Sequence, residues 1–368
     1  MAAHALPAGY ALQEYRIEKL LGVGGFGLTY LARDQNLELK VALKEYLPGD
    51  IALRGPDQTV APASPDTAET FSWGKRRFLD ESRTLASFRH PNIVRVMRFF
   101  EANGSAYMVM EFVEGAALAD WMAPRRPLDE AQIAALARPL LDGLEVVHKA
   151  GFMHRDIKPG NVYIREDGSP VLIDFGSARQ KSSELTAVVS PGYAPFEQYH
   201  TQGKQGPWSD LYALGGVLYW MITGNRPHEA AARIRQDSMP SAVQAADRSR
   251  YRTEFLAAID WALAPNEDER PQSVAEWRQA LFAAEPKTQK LAPSAPPPAA
   301  KVLPQQTLER AAQELAEYLG PVAQVVVKRA AAKARDEREL YLLLADEIED
   351  QAERKAFIRK TVSISGKR

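Results

Sequence analysis

Apolar residues recur along this chain with two different periods, and the switches between them mark out its elements. The run Tyr15-Arg16-Ile17-Glu18-Lys19-Leu20-Leu21 alternates apolar and polar positions, which predicts a strand with one buried face. Thr29-Tyr30-Leu31-Ala32-Arg33-Asp34 and Lys40-Val41-Ala42-Leu43-Lys44 predict two more. Phe78, Leu85 and Phe88 then recur at helical spacing, and residues 94–101 and 106–111 return to strand patterns joined through Asn103-Gly104. Beyond them the helical period dominates. Ile133, Leu136, Leu140, Leu141, Leu144 and Val147 predict a long core helix within 128–150, and further helical stretches cover 255–263 and 274–282. This is an α+β pattern, with strands first and helices after. Residues 1–14 carry Pro7, Gly9 and little periodicity, and are expected to form a loose, flexible arm. Residues 45–74, rich in Pro, Ala and Thr, read as an insertion at a loop tip.

The pattern changes once more near the end. Residues 286–304 include Ala292-Pro293-Ser294-Ala295-Pro296-Pro297-Pro298-Ala299-Ala300, which predicts a semi-rigid linker of polyproline II character. Leu308, Leu315 and Leu319 then form a helical stripe that Gly320-Pro321 ends. Val322, Val325 and Val326, continuing through 328–334, form a second. Asp336-x-x-Glu339 and Asp350-x-x-Glu353 resemble the starts of two more helices. The expected division is therefore an arm at 1–14, a main domain at 15–285, a linker at 286–304 and a small all-α module at 305–368.

Composition narrows the functional classes. The chain has 368 residues, long enough for two or three units, with 45% hydrophobic and 25% charged residues. A net charge of −1 gives no reason to expect a nucleic-acid or anionic-membrane partner. The absence of cysteine excludes disulfides and thiolate-bound zinc and fits a reducing compartment. The first residues lack a basic start leading into an apolar core, and no window reaches the roughly 18 apolar residues of a membrane span. A cytoplasmic protein is expected.

The chemistry concentrates in His154-Arg155-Asp156-Ile157-Lys158-Pro159-Gly160-Asn161, followed by Asp174-Phe175-Gly176. Two carboxylates, an amide and a lysine in this order suit a reaction that needs positioning and charge neutralisation more than covalent help. Upstream, Gly22-Val23-Gly24-Gly25-Phe26-Gly27 lies between two strand patterns. In a dinucleotide-binding fold glycines of this spacing open a helix; here strand residues follow. With Val41-Ala42-Leu43-Lys44, these motifs resemble a bacterial Hanks-type (eukaryotic-like) serine/threonine protein kinase across about 15–283.

The resemblance implies a bilobal fold, with an antiparallel sheet and one helix in the N-lobe and a mostly helical C-lobe. It implies ATP and Mg2+ as cofactors and Ser/Thr-containing proteins as partners. Asp156 would orient and deprotonate the acceptor hydroxyl, Lys158 would meet the transferred phosphoryl group, and Asn161 and Asp174 would hold magnesium. Leu21, Gly22, Val23, Gly24, Gly25, Phe26, Gly27 and Thr29 would cover the nucleotide, Thr29 standing where Val is usual. Lys44 would bind its phosphates, paired with Glu81 on the helix containing Phe78. Ala42, the gatekeeper Met110, the hinge residues Glu111 and Val113, and Tyr163 would surround adenine, Tyr163 replacing the usual Leu. His154 is expected to be a core contact, with Phe175, Glu197, Asp210 and Arg270 as further scaffold. Pro195-Phe196-Glu197 stands in place of Ala-Pro-Glu. Thr186 and Ser190 belong to the activation segment, and Thr186 is the expected phosphosite near Arg155, with Ser182 and Ser183 as lesser ones. The competing readings are a pseudokinase-like scaffold acting through the tail, and a small-molecule phosphotransferase. The first is disfavoured because no catalytic residue is lost, the second because the 190–197 segment and the Asp210 and Arg270 scaffold belong to peptide-substrate kinases. The tail is a candidate for self-association or for binding a partner protein.

Overall fold

Alternating strands and amphipathic helices assemble as two bodies in the computed structural model, which describes residues 4–175, 189–200, 203–283, 304–319, 323–334, 337–348, 354, 357, 360 and 361. The first spans Met1–Ala284 and the second Glu285–Arg368.

The N-terminal part of the first body is a six-stranded antiparallel sheet. It comprises β1 (Ala11–Leu12), β2 (Tyr15–Gly24), β3 (Gly27–Asp34), β4 (Leu39–Tyr46), β7 (Val96–Ala102) and β8 (Ser105–Glu111), in the order β1-β2-β3-β4-β8-β7. Along β4, Val41, Leu43 and Glu45 are buried while Ala42 and Lys44 are half-buried, the two-residue alternation of a pleated strand. The sheet packs beneath α1 (Ala68–Leu85), whose buried Phe71, Gly74, Phe78, Ser82 and Leu85 follow helical spacing. Gly74 is required there, because a Cβ would lie 2.1 Å from the Tyr46 hydroxyl.

Two expectations need correction. Residues 4–14 are not a loose arm: Leu6 and Leu12 are buried, and β1 pairs with β2. Periodicity missed this because a two-residue strand has none to show. Nor do residues 45–74 form only a loop tip. They hold the hairpin β5 (Ala52–Arg54) and β6 (Val60–Pro62) and the first turns of α1.

The C-terminal part is built on α4 (Pro207–Thr223), in which Leu211, Tyr212, Leu214 and Val217 are fully buried. A helix apolar on every side belongs in a core, which explains the apolar run there. No helix among the described residues is long and apolar enough to cross a membrane. Around α4 lie α2 (Leu118–Met122), α3 (Glu130–Lys149), α5 (Ala230–Arg235), α6 (Ala242–Ala245), α7 (Thr253–Ala262) and α8 (Val274–Leu281). All six apolar positions predicted for α3 are buried, and Asp129 with Gln132 closes its N-terminus as a capping box. In a small sheet, β9 (Gly115–Ala117) pairs with β10 (Val162–Arg165), which begins directly after the 154–161 motif, and β10 with β11 (Pro170–Leu172).

The second body contains α9 (Gln305–Leu319), α10 (Ala323–Lys333) and α11 (Glu337–Ala345) around its own cluster of Ala311, Leu315, Val327, Leu340, Leu344 and Phe357. In α10 Val327 is buried, while Val325 and Val326 of the expected stripe are only half-buried. Val322, Asp336 and the Asp350-x-x-Glu353 start lie outside the described residues.

Candidate active site

The motif 154–161 sits between α3 and β10 in a backbone that needs external support. Arg155 adopts φ 68°, a left-handed conformation unfavourable for a residue with a Cβ. Asp210, fully buried in the first turn of α4, accepts hydrogen bonds from the backbone N–H of His154 and of Arg155, both at 2.8 Å, and contacts His148 Nε2 at 2.7 Å. Burial pushes this carboxyl up, but the bond and charge of His148 and the Arg155 N–H outweigh it and hold it below the usual range. The loop shape thus depends on an ionised carboxylate more than fifty residues away in sequence.

On this loop Asp156 meets several partners at once. Lys158 Nζ lies 2.7 Å from its Oδ2, and Asn161 Nδ2 donates to its carbonyl oxygen at 2.8 Å and to Oδ2 at 2.9 Å. Ser190 Oγ donates to Asp156 Oδ1 at 2.6 Å and accepts from Lys158 Nζ at 3.1 Å. A hydroxyl therefore sits between a carboxylate and an ammonium. That geometry can orient a hydroxyl, take its proton and neutralise negative charge arriving beside it.

Lys44 extends from the cleft face of β4 to an ion pair with Asp174 Oδ1. Burial pushes its ammonium pKa down, but the negative charges of Asp174, Glu81 and Asp156 prevail and raise it. Asp174 is shifted the opposite way: burial raises its carboxyl, and Lys44 pulls it below the usual carboxylate range. Glu81, half-buried on α1, adds its negative charge beside Lys44, and Asp174 contacts the ammonium directly. Asp174 and the amide oxygen of Asn161 are hard oxygen donors, and no cluster of three His, Cys, Asp or Glu is present among the described residues. Such a sparse set fits magnesium, which usually keeps waters and substrate phosphate oxygens as its other ligands.

The glycine-rich segment joins β2 to β3 as a hairpin, with Gly24 paired to Gly27. Gly27, at φ 156°, has no room for a side chain, since a Cβ would lie 1.8 Å from Glu45 O. Around Gly22 a Cβ would meet nothing within 4 Å, so this backbone faces open space, flanked by exposed Leu21, Val23 and Phe26. Thr29 pairs with Lys44, and Ala42 with Met110, across adjacent strands. Tyr163 pairs with Ala117 and packs, half-buried with Ala42, against the N-lobe core. Glu111 and Val113 follow at the end of β8; on the outer side of this connection Arg165 Nη2 reaches Glu111 Oε1 at 3.0 Å. An open groove of about 630 Å³ lies there, bounded by residues including Lys40, Phe112 and Arg165, away from Asp156.

The scaffold residues are buried. His154 packs against Phe175 with ring centroids 4.3 Å apart and the planes tilted by 35°. Glu197 and Arg270 form a two-pronged pair at 2.8 and 3.2 Å, with Ser209 Oγ donating to Glu197 at 2.7 Å. Thr186, Ser182, Ser183 and Gly176 lie outside the described residues. The sequence reading passed over one group: Glu45, fully buried, accepts from Tyr30 at 2.8 Å, Tyr107 at 2.5 Å and Arg54 at 2.5 Å. The available signal was an acidic residue at an inward position of β4, next to Lys44.

A family model described as the protein kinase domain matches residues 15–282, and another, described as a domain of unknown function (DUF8082), matches 306–368. Serine/threonine-protein kinase C of Synechocystis is 33% identical over 228 residues, covering 58% of this chain and 39% of that protein. Serine/threonine-protein kinase pkn2 of Myxococcus xanthus is 32% identical over 293 residues, covering 73% and 32%. For serine/threonine-protein kinase PknB of Mycobacterium leprae the values are 30% over 305 residues, covering 78% and 44%. The chain thus spans less than half the length of each of these relatives. A solved structure, PpkA-294 apo form, is 40% identical and superposes with a TM-score of 0.67, covering 76% of this chain and 99% of its own. With the kinase model matching from the first long strand to the last C-lobe helix, the chain belongs to the protein kinase domain family.

Proposed function

We propose that this chain is an ATP-dependent serine/threonine protein kinase that phosphorylates protein hydroxyls and its own activation segment. The observation that carries the reading is the Ser190 hydroxyl held between Asp156 and Lys158. An acceptor serine or threonine placed the same way would donate its hydroxyl to Asp156. Its oxygen forms the new bond to phosphorus as the bond to the ADP oxygen breaks, and the proton passes to Asp156. Lys158 offsets the charge that moves. Lys44, kept charged by Asp174 and Glu81, binds the nucleotide phosphates beneath the glycine turn. Asn161 and Asp174 would hold magnesium, which would supply charge neutralisation on the phosphates. Ala42, Met110, Glu111, Val113 and Tyr163 form the base site in this reading. Lys44, Asp156, Asn161 and Asp174 are all present, so nothing favours a scaffold without activity.

Incubation with magnesium and labelled ATP, followed by phosphosite mapping, tests the proposal. Label should enter the 176–197 segment, chiefly at Thr186, where a phosphate can pair with Arg155. Among the described residues, Arg155 Nε is a buried donor without a partner, which supports that role. Asp156→Asn and Lys44→Met should each reduce transfer by at least about a hundredfold while leaving the fold intact. Wild-type rates in either variant would refute these site roles.

A further inference from the structure

The segment that carries Ser190 continues past two arginines. Ser190 marks the acceptor position through its bond to Asp156, and Gly192 lies two residues on, at most about 7 Å along the chain. Gly192 has φ 83°, and a Cβ there would lie 2.8 Å from Arg226 Cγ and 2.5 Å from Pro227 O. The loop after α4 therefore presses Arg226 directly against this segment. Arg126 approaches from the loop after α2. Its Nη2 donates to Trp220 O at 3.1 Å, and its guanidinium lies over the Trp220 ring at 4.3 Å. Its Nη1 is 3.0 Å from where a Cβ on Gly224 would stand.

Tyr193 senses both arginines. Burial pushes its hydroxyl up to about 12, and the charges acting on it are the cations Arg226 and Arg126. Both side chains belong to exposed residues, and among the described residues neither pairs with a carboxylate. Other arginines of this surface are neutralised, Arg252 by Glu130, Arg278 by Asp142 and Arg33 by Glu18; what sets Arg226 apart is its place against Gly192, two residues from Ser190. Arg226, against Gly192, and Arg126, on the adjoining Trp220–Gly224 surface, have no carboxylate partner among the described residues and are poised for an anionic group on the substrate.

We propose that the substrate is an acidic-flanked peptide segment, with Asp or Glu within three positions of the phosphorylated Ser or Thr, recognised by Arg226 and Arg126. Three extended residues span about 10 Å, more than the at most about 7 Å from Ser190 to Gly192, against which Arg226 packs. The inference rests on the kinase reading of the site, and the test separates the two.

Peptides with one serine, and with Asp, Ala or Lys placed in turn at each flanking position, would be compared for turnover and for binding by fluorescence anisotropy. The best Asp peptide should exceed its Ala counterpart roughly fivefold in kcat/KM and in affinity, the size of an exposed charge pair. The ratio should shrink as ionic strength rises to about 0.5 M. Arg226→Glu should invert the order of the Asp and Lys peptides, and Arg226→Gln should abolish it. Turnover without an acidic preference, or a preference unchanged in Arg226→Glu, overturns this inference and leaves the kinase reading standing. Tighter binding of the Asp peptide by a protein with no turnover overturns the kinase reading and keeps this one.

Discussion

At the scale of single residues, the site depends on protonation states that burial selects. His154 is fully buried; its Nδ1 accepts from Asp156 N–H at 3.3 Å, and its Nε2 lies 3.1 Å from the Ile173 carbonyl. Only the neutral ring with its proton on Nε2 satisfies both contacts. Burial pushes the pKa below the ordinary histidine value, against the opposing charges of Asp210, Asp156 and Asp174. In the unfolded chain this ring takes a proton near about pH 6.5, while in the folded chain it does not. The unfolded state then binds more protons as pH falls, so His154 costs stability below that pH, up to about 1.4 kcal/mol per unit until the folded pKa is reached. NMR of the imidazole nitrogens should show His154 still neutral in folded protein at a pH where an ordinary histidine is already half protonated. A ring that titrates near 6.5 without unfolding would show that its Nδ1 bond does not hold.

At the scale of elements, the hairpin β5–β6 is tied to the strand that carries Lys44. Arg54 pairs with Glu45 and also donates to His4 O at 2.7 Å and Gln58 O at 2.8 Å, while Leu6 N donates to the Tyr30 hydroxyl at 3.2 Å. Burial first, then the Glu45 charge, raises the Tyr30 and Tyr107 hydroxyl pKa values, so both phenols stay protonated donors. One buried carboxylate thus gathers the arm, the hairpin and two strands. Arg54→Met would strand Glu45 without its cation, at a cost of about 3–5 kcal/mol. Thermal unfolding should show a loss on the order of 10 °C for a domain of this size. The double variant Arg54→Met with Glu45→Gln should recover much of it, because the uncompensated charge is gone. A single variant within about 1 °C of wild type would mean the pair is not holding the hairpin.

At the scale of the whole molecule, the two bodies have separate cores. Among the described residues, the clusters built on α4 and on the six-stranded sheet contain none beyond 283, and the tail cluster draws on none before 308. Residues 1–285 should therefore fold alone, with a melting temperature within about 2 °C of the same transition in the full chain. Insolubility of that fragment would show that the tail completes the kinase core. The tail itself has about 60 residues, a size at which few apolar side chains can be buried and stability is marginal without a partner.

How much was legible in the sequence follows from the range of each interaction. Periodicity over a few turns marked α3 and the strands β2, β3, β4, β7 and β8, because a face is buried or exposed by local geometry. The catalytic motif was legible because its groups are fixed by short spacings: Asp156, Lys158 and Asn161 lie on one loop and bond one another directly. Interactions across long separations were not. Docking of residues 4–14, the Glu45–Arg54 pair and the packing of Arg226 against Gly192 join segments that no local pattern relates. The same holds for the left-handed turn at Arg155, which depends on Asp210 from another helix. The sequence by itself determined which groups can do the chemistry, since their types and spacing are local properties of the chain. Only the tertiary structure decided which charges are neutralised, as Glu45 is by Arg54, and which side chains are brought against Ser190 and Gly192, because that depends on distances set by packing.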